Sequence, residues 1–294
     1  MTTKEYESYY VPSDSQWPII GALALFCIAF GAGGFVSQLG NEAGSGGWGY
    51  LLMTGIAIVI YMVVGWIANV ITESMTGLYS EQMSASFRQG MSWFIFSEVM
   101  FFAAFFGALY YARALSVPWL GGAGSNEMTN AVLWPEFQAV WPLIKAPDGT
   151  ETQAMGWFGL PLINTVLLLT SSVTCHFAHV ALEKNERTKL KAFLGVTILL
   201  GIAFLFFQVE EYMEAYQHMN LRLDSGIYGS TFFMLTGFHG MHVTLGTVML
   251  IVVFFRVLKG HFTPTEHFGF QAASWYWHFV DVVWVILFLF VYII

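Results

Sequence analysis

Seven stretches of the chain are apolar over lengths close to the roughly 20 residues that carry an α-helix across a bilayer. They run near 18–39, 50–71, 90–114, 157–180, 191–214, 228–256 and 271–293. The first holds Gly31, Ala32, Gly33 and Gly34, small residues that let helix backbones approach closely. Ser13 or Asp14 with Pro18 reads as its start signal. The pattern predicts an all-α integral membrane protein with seven transmembrane helices. The gap between the second and third runs separates a two-helix piece (18–71) from a five-helix piece (90–293), and we read residues 1–294 as one domain.

Composition supports a bilayer as solvent. Of 294 residues, 56% are hydrophobic and 10% charged, against about 25% charged in soluble domains. The net charge of −8 excludes the basic footprint of a nucleic-acid binder. Cys27 and Cys175 lie in separate apolar runs and give no disulfide framework. The N-terminal MTTKEYESYYVPSDSQ lacks a signal-peptide pattern, so the first helix is expected to direct insertion. With the N-terminus inside, Lys4, Arg88, Lys184, Arg187, Lys189, Lys191, Arg256 and Lys259 fall on the inner side, and Arg113, Lys145 and Arg222 on the outer. The positive-inside rule then predicts a cytoplasmic N-terminus and an outer C-terminus. The connection 116–156, punctuated by Trp119, Trp134, Trp141 and Trp157, is expected to lie at the outer interface.

Few polar groups interrupt the runs, and those few are the candidates for chemistry. Glu98 has apolar neighbours for two turns on either side, so it must be protonated or paired, with His239 or His242 as partner. It is either a proton-handling carboxyl or a hydrogen-bonded acid that fixes packing. His176/His179 and His239/His242 are H-x-x-H pairs that could each present two imidazoles to a metal. Neither has H-E-x-x-H spacing, and interhelical hydrogen bonding is the favoured reading. Glu211, Glu214 and His218 share a side of the fifth helix, read as a solvated end in preference to a partner contact. In FGFQAASWYWHFVDVVW, from Phe268, His278 and Asp281 share one helical face, while Trp275, Trp277 and Trp284 are the type of residue that anchors at interfaces. Glu73 and Arg256 sit at inner helix ends; Arg256 either grips a lipid phosphate or snorkels.

Four long stretches together resemble subunit III of the haem–copper cytochrome c oxidases: FIFSEVMFF around Glu98, GLPLINTVLLLTSS from Gly159, SGIYGSTFFMLTGFHGMHV from Ser225, and FGFQAASWYWHFVDVVW. The resemblance implies seven helices, with helices one and two separated from three to seven by a V-shaped cleft that holds phospholipid. It further implies no haem, copper or catalytic residue in this chain. Haem and copper belong to subunits I and II, which oxidise cytochrome c and reduce oxygen while pumping protons. Subunit III is then an accessory that stabilises the core, supports proton uptake and carries cleft lipid. Matching the family's motifs, Glu98 is its intramembrane carboxyl, and His179, His239, His242, Trp277, His278 and Asp281 form its buried polar network. Trp66, Glu73 and Arg256 match cleft-lining positions. The chain departs from the family pattern at Ile67, at Leu78–Tyr79, at Val180 and at Gln271.

Three other readings compete. A quinol oxidase subunit III resembles the chain from helix three onward but usually lacks the first two helices. A stand-alone metalloenzyme would use Glu98 and the histidine pairs. A transporter would require inverted halves, and no such symmetry is present. The expected location is a bacterial inner membrane, with the mitochondrial inner membrane as the alternative.

Overall fold

The computed structural model describes residues 10–11, 14–38, 46–147 and 149–294; Lys4 and Ser13, used above for orientation and capping, lie outside them. The helices are α1 Trp17–Gln38, α2 Trp48–Met75, α3 Glu81–Tyr111, α4 Val117–Leu120, α5 Glu127–Leu133, α6 Leu160–Glu183, α7 Arg187–His218, α8 Ile227–Leu258 and α9 Phe268–Leu287. Two π-helical stretches, Ala112–Ser116 and Phe288–Ile293, continue α3 into α4 and extend α9 to the C-terminal end. Among the described residues, seven of these units are long and apolar enough to cross a membrane, and each overlaps one of the seven predicted runs, the fourth starting at Leu160 and not at 157.

The third helix departs most from its predicted limits. It begins at Glu81, well before residue 90, and runs through the π turn to Leu120. Helical hydrogen bonding needs no apolar side chains, so polar turns such as EQMSASFRQ continue the helix beyond the stretch that hydropathy detects. The connection read as 116–156 therefore opens helical and carries the short α5 as well.

The chain clusters into two compact units, Met1–Phe87 and Arg88–Ile294. In the first, α1 and α2 form a hairpin whose interior residues are small: Ala24, Cys27, Gly31 and Gly55. A Cβ at Gly31 would collide with the Leu52 backbone, and one at Gly55 would lie 2.8 Å from the Ile28 nitrogen. In the second, α9 contributes the largest fully buried side chains, Trp277 and Trp284, to the core. These two are core residues and not the interfacial anchors expected from their type. Three helices close alike. Residue pairs Gly77–Leu78, Asn185–Glu186 and Gly260–His261 return their N–H groups to the last turns of α2, α6 and α8, in the Schellman pattern. Gly77 and Gly260 supply the positive φ this turn requires (+74° and +75°).

Candidate functional site

Trp277 is the point where the second unit is tied together. Its indole N–H donates to Ser171 Oγ on α6 at 2.9 Å. Its ring lies against Gly201 of α7 and Gly246 of α8, where an added Cβ would approach to 2.7 and 2.9 Å. Two turns on, the Trp284 N–H donates to Thr165 Oγ1 at 3.0 Å, and its ring meets Phe204 edge-on at 4.8 Å. Each tryptophan thus combines a large packing surface with a satisfied polar handle.

The predicted polar residues sort by partner. Glu98 Oε2 lies 2.8 Å from His242 Nε2, joining α3 to α8. His242 Nδ1 is 2.6 Å from the Phe238 carbonyl, which can only accept, so Nδ1 carries a hydrogen. A single proton is therefore shared between Glu98 and His242: a neutral acid faces a neutral imidazole, or a carboxylate faces an imidazolium. His239, fully buried, turns the other way. Its Nε2–H donates to the Val280 carbonyl of α9 at 3.2 Å, and its ring packs on Trp284 at 5.0 Å. The two members of this H-x-x-H pair thus serve different helices. The other pair is also divided, with His176 exposed and His179 partly buried.

His278 and Asp281 share their predicted face but are loosely paired. His278 Nδ1 is 2.8 Å from Ser172 Oγ and 3.7 Å from Asp281 Oδ2, and neither Asp281 oxygen has a hydrogen-bond partner. On α7 the reading of a solvated end fails for Glu211, which is 0% exposed; Glu214 and His218 are exposed as expected. Glu211 Oε1 accepts from the Tyr292 hydroxyl at 2.6 Å, locking α7 to the π-helical end of the chain. Its spacing pattern points outward only if the helix end is at the surface, and the C-terminal residues cover it instead. Sequence reasoning also passed over Asn164 and Gln208, buried with both amide atoms lacking a protein partner. Their one signal was a polar residue inside an apolar run.

Trp66 and Glu73 lie in the first unit, where they line a cavity of about 510 Å³ with Asp14, Trp17 and Asn69. Glu73 accepts from the Tyr79 hydroxyl at 2.7 Å. Burial and the adjacent carboxylate raise the Tyr79 pKa above the ordinary phenol value. Arg256 lies in the second unit, its guanidinium 4.4 Å from the centre of the Phe262 ring, a cation–π contact.

The family model for cytochrome c oxidase subunit III matches residues 7–294. Cytochrome c oxidase subunit 3 of Tragelaphus imberbis is 38% identical over 291 residues, covering 99% of this chain and 98% of the relative. Those of Tragelaphus oryx and Bos mutus grunniens are 37% identical with the same coverage. The chain belongs to the cytochrome c oxidase subunit III family. It is a multi-helix membrane subunit of a haem–copper oxidase complex, assembled with other oxidase subunits. Two of its departures from the family pattern have visible partners: Tyr79 bonds Glu73, and Gln271 Oε1 accepts from Arg88 Nε at 3.3 Å.

Proposed function

We propose that the chain is the accessory, non-redox subunit of a proton-pumping terminal oxidase that passes electrons from cytochrome c to oxygen. Haem and copper reside in subunits I and II, and this chain holds no catalytic residue. It stabilises the catalytic core, supports proton uptake and carries phospholipid at Trp66, Glu73 and Arg256. The observation that carries the reading is how the intramembrane polar groups are used. Glu98–His242, His239–Val280, Trp277–Ser171 and Tyr292–Glu211 each join one helix to another. Groups spent on such contacts hold a bundle together. Basic residues from 184 to 191 favour a cytoplasmic N-terminus. Longer N-terminal and loop segments favour a bacterial inner membrane over a mitochondrial one.

The test uses the assembled complex, purified through a tag on this chain. A reduced-minus-oxidised spectrum and iron and copper analysis are taken before and after the chain is stripped with detergent. The expected outcome is that haem and copper stay with the remainder while turnover becomes short-lived. Haem or copper leaving with the chain would overturn the reading.

A further inference from the structure

We propose that His179, Glu183 and His267 form a zinc-class divalent metal site that pins the α8–α9 connection to the last turn of α6. Of the three, only His179 belongs to the polar network expected from the family, and none takes part in the helix-joining pairs that carry the accessory-subunit reading. His179 and Glu183 are four apart on α6 and share a face. His267 immediately precedes α9, at the end of a turn closed by Glu266 N–H to Thr263 Oγ1 (2.9 Å) and Thr263 N–H to the Glu266 carbonyl (3.1 Å). One ligand atom from each of the three residues lies within 4.8 Å of the others. His179 Nε2 and Glu183 Oε1 are 3.8 Å apart, too far for a hydrogen bond between them. Zinc bonds of about 2.0–2.1 Å in a tetrahedron place ligand atoms roughly 3.4 Å apart. Small side-chain rotations, chiefly of Glu183 on its exposed side, close that gap.

Two details aim these nitrogens at a cation. His267 Nδ1 lies 3.1 Å from the Thr263 carbonyl. That nitrogen carries the hydrogen, and the lone pair is left on Nε2, the arrangement a backbone carbonyl imposes on metal-ligating histidines. His179 Nε2 is itself a buried atom with no hydrogen-bond partner, the type of orphan that needs a partner. Its ring stands against those of His267 and Phe270, each at 5.5 Å. Two imidazoles and one carboxylate suit zinc and disfavour magnesium or calcium, which demand oxygen ligands. The carboxylate offsets half the ionic charge, and water completes the shell.

The experiment uses the assembled oxidase, stripped of loosely held metal with EDTA, resupplied with about one equivalent of Zn²⁺ per chain and desalted. Zinc is counted by mass spectrometry, and hydrogen exchange is followed across residues 259–267. We expect the unmodified complex to retain about one zinc per chain more than the His267→Ala complex. Zinc should slow exchange at 259–267 in the unmodified protein and in His176→Ala, whose imidazole is exposed nearby, but not in His267→Ala. Glu183→Gln, at the exposed end, gives the same comparison should His267→Ala fail to assemble. Equal zinc in unmodified and variant complexes, or bound zinc with no slowing at 259–267, would overturn the site and leave only a His179–Glu183 ion pair.

Discussion

The α1–α2 hairpin and the bundle of α6 to α9 are equally suited to lipid, yet they hold together by different means. The hairpin buries Ala24, Cys27, Gly31 and Gly55 and, among the described residues of its two helices, no residue with a charged, amide or hydroxyl side chain. The bundle buries Ser171, Gln208, Glu211, His239, Ser274 and Asp281 among its aromatic residues. Lipid tails are as apolar as leucine, so helices in a membrane gain little by hiding apolar surface from lipid. What remains is close van der Waals contact, which the hairpin takes to its limit with glycine, and directional bonds, which the bundle adds. Among the described residues, the hairpin's buried positions meet by shape.

The contrast is broken most forcefully at Trp277. Trp277→Ala empties a space against Gly201 and Gly246 and removes the bond to Ser171, at a cost of about 3–5 kcal/mol. In the hairpin, Trp66, 54% exposed, should change stability by less than about 0.5 kcal/mol on replacement by alanine. Thermal loss of the chain from the purified complex compares the two. Equal losses would mean that exposed hairpin aromatics are covered and essential, and the contrast would fail.

The hairpin has its own weak point. Gly31→Leu forces a side chain into the Leu52 backbone, and overpacking of this type costs about 1–3 kcal/mol. Faster hydrogen exchange in α1 and α2 is the expected readout. Unchanged exchange would show that the hairpin is loosely packed.

Hydropathy made the seven helices legible because immersion in lipid imposes a long apolar run whatever the packing. It did not reveal where α3 begins, since the Glu81–Gln89 turns are polar and still helical. The polar candidates were legible in proportion to their isolation. Glu98, alone in an apolar run, pointed to a histidine partner, and His242 meets it. Glu211 sits among Glu210 and Glu214 and looks like a solvated end, because nothing in its own helix reveals that Tyr292 will cover it. His267 gave no signal at all, being a loop histidine whose neighbours are created by the α8–α9 turn.

Glu98 sharpens the bundle's half of the contrast. Glu98→Ala leaves His242 Nε2 buried without a partner, a loss of about 1–3 kcal/mol. Glu98→Gln can still donate to that nitrogen if the imidazole is neutral, so it should restore most of the stability. An infrared difference spectrum between unmodified and Glu98→Gln complexes should then show a protonated carboxyl band. Only carboxylate bands, with Gln as harmful as Ala, would identify the ion pair instead.

The smallest effect separates packing from hydrogen bonding at one residue. Ser171→Ala removes the acceptor of the Trp277 N–H while leaving the ring between its two glycines. Interhelical hydrogen bonds measured within membranes average about 0.6 kcal/mol, several-fold less than the cavity left by Trp277→Ala. A double-mutant cycle with Trp277→Phe isolates that bond, since Phe keeps an aromatic ring and lacks the donor. A coupling near this value makes Trp277 chiefly a packing residue, so that hairpin and bundle share one underlying cohesion and the polar bonds fix which helix faces meet. A coupling as large as the whole Trp277→Ala effect would reverse that order, making the bond to α6 the lock and the ring its spacer.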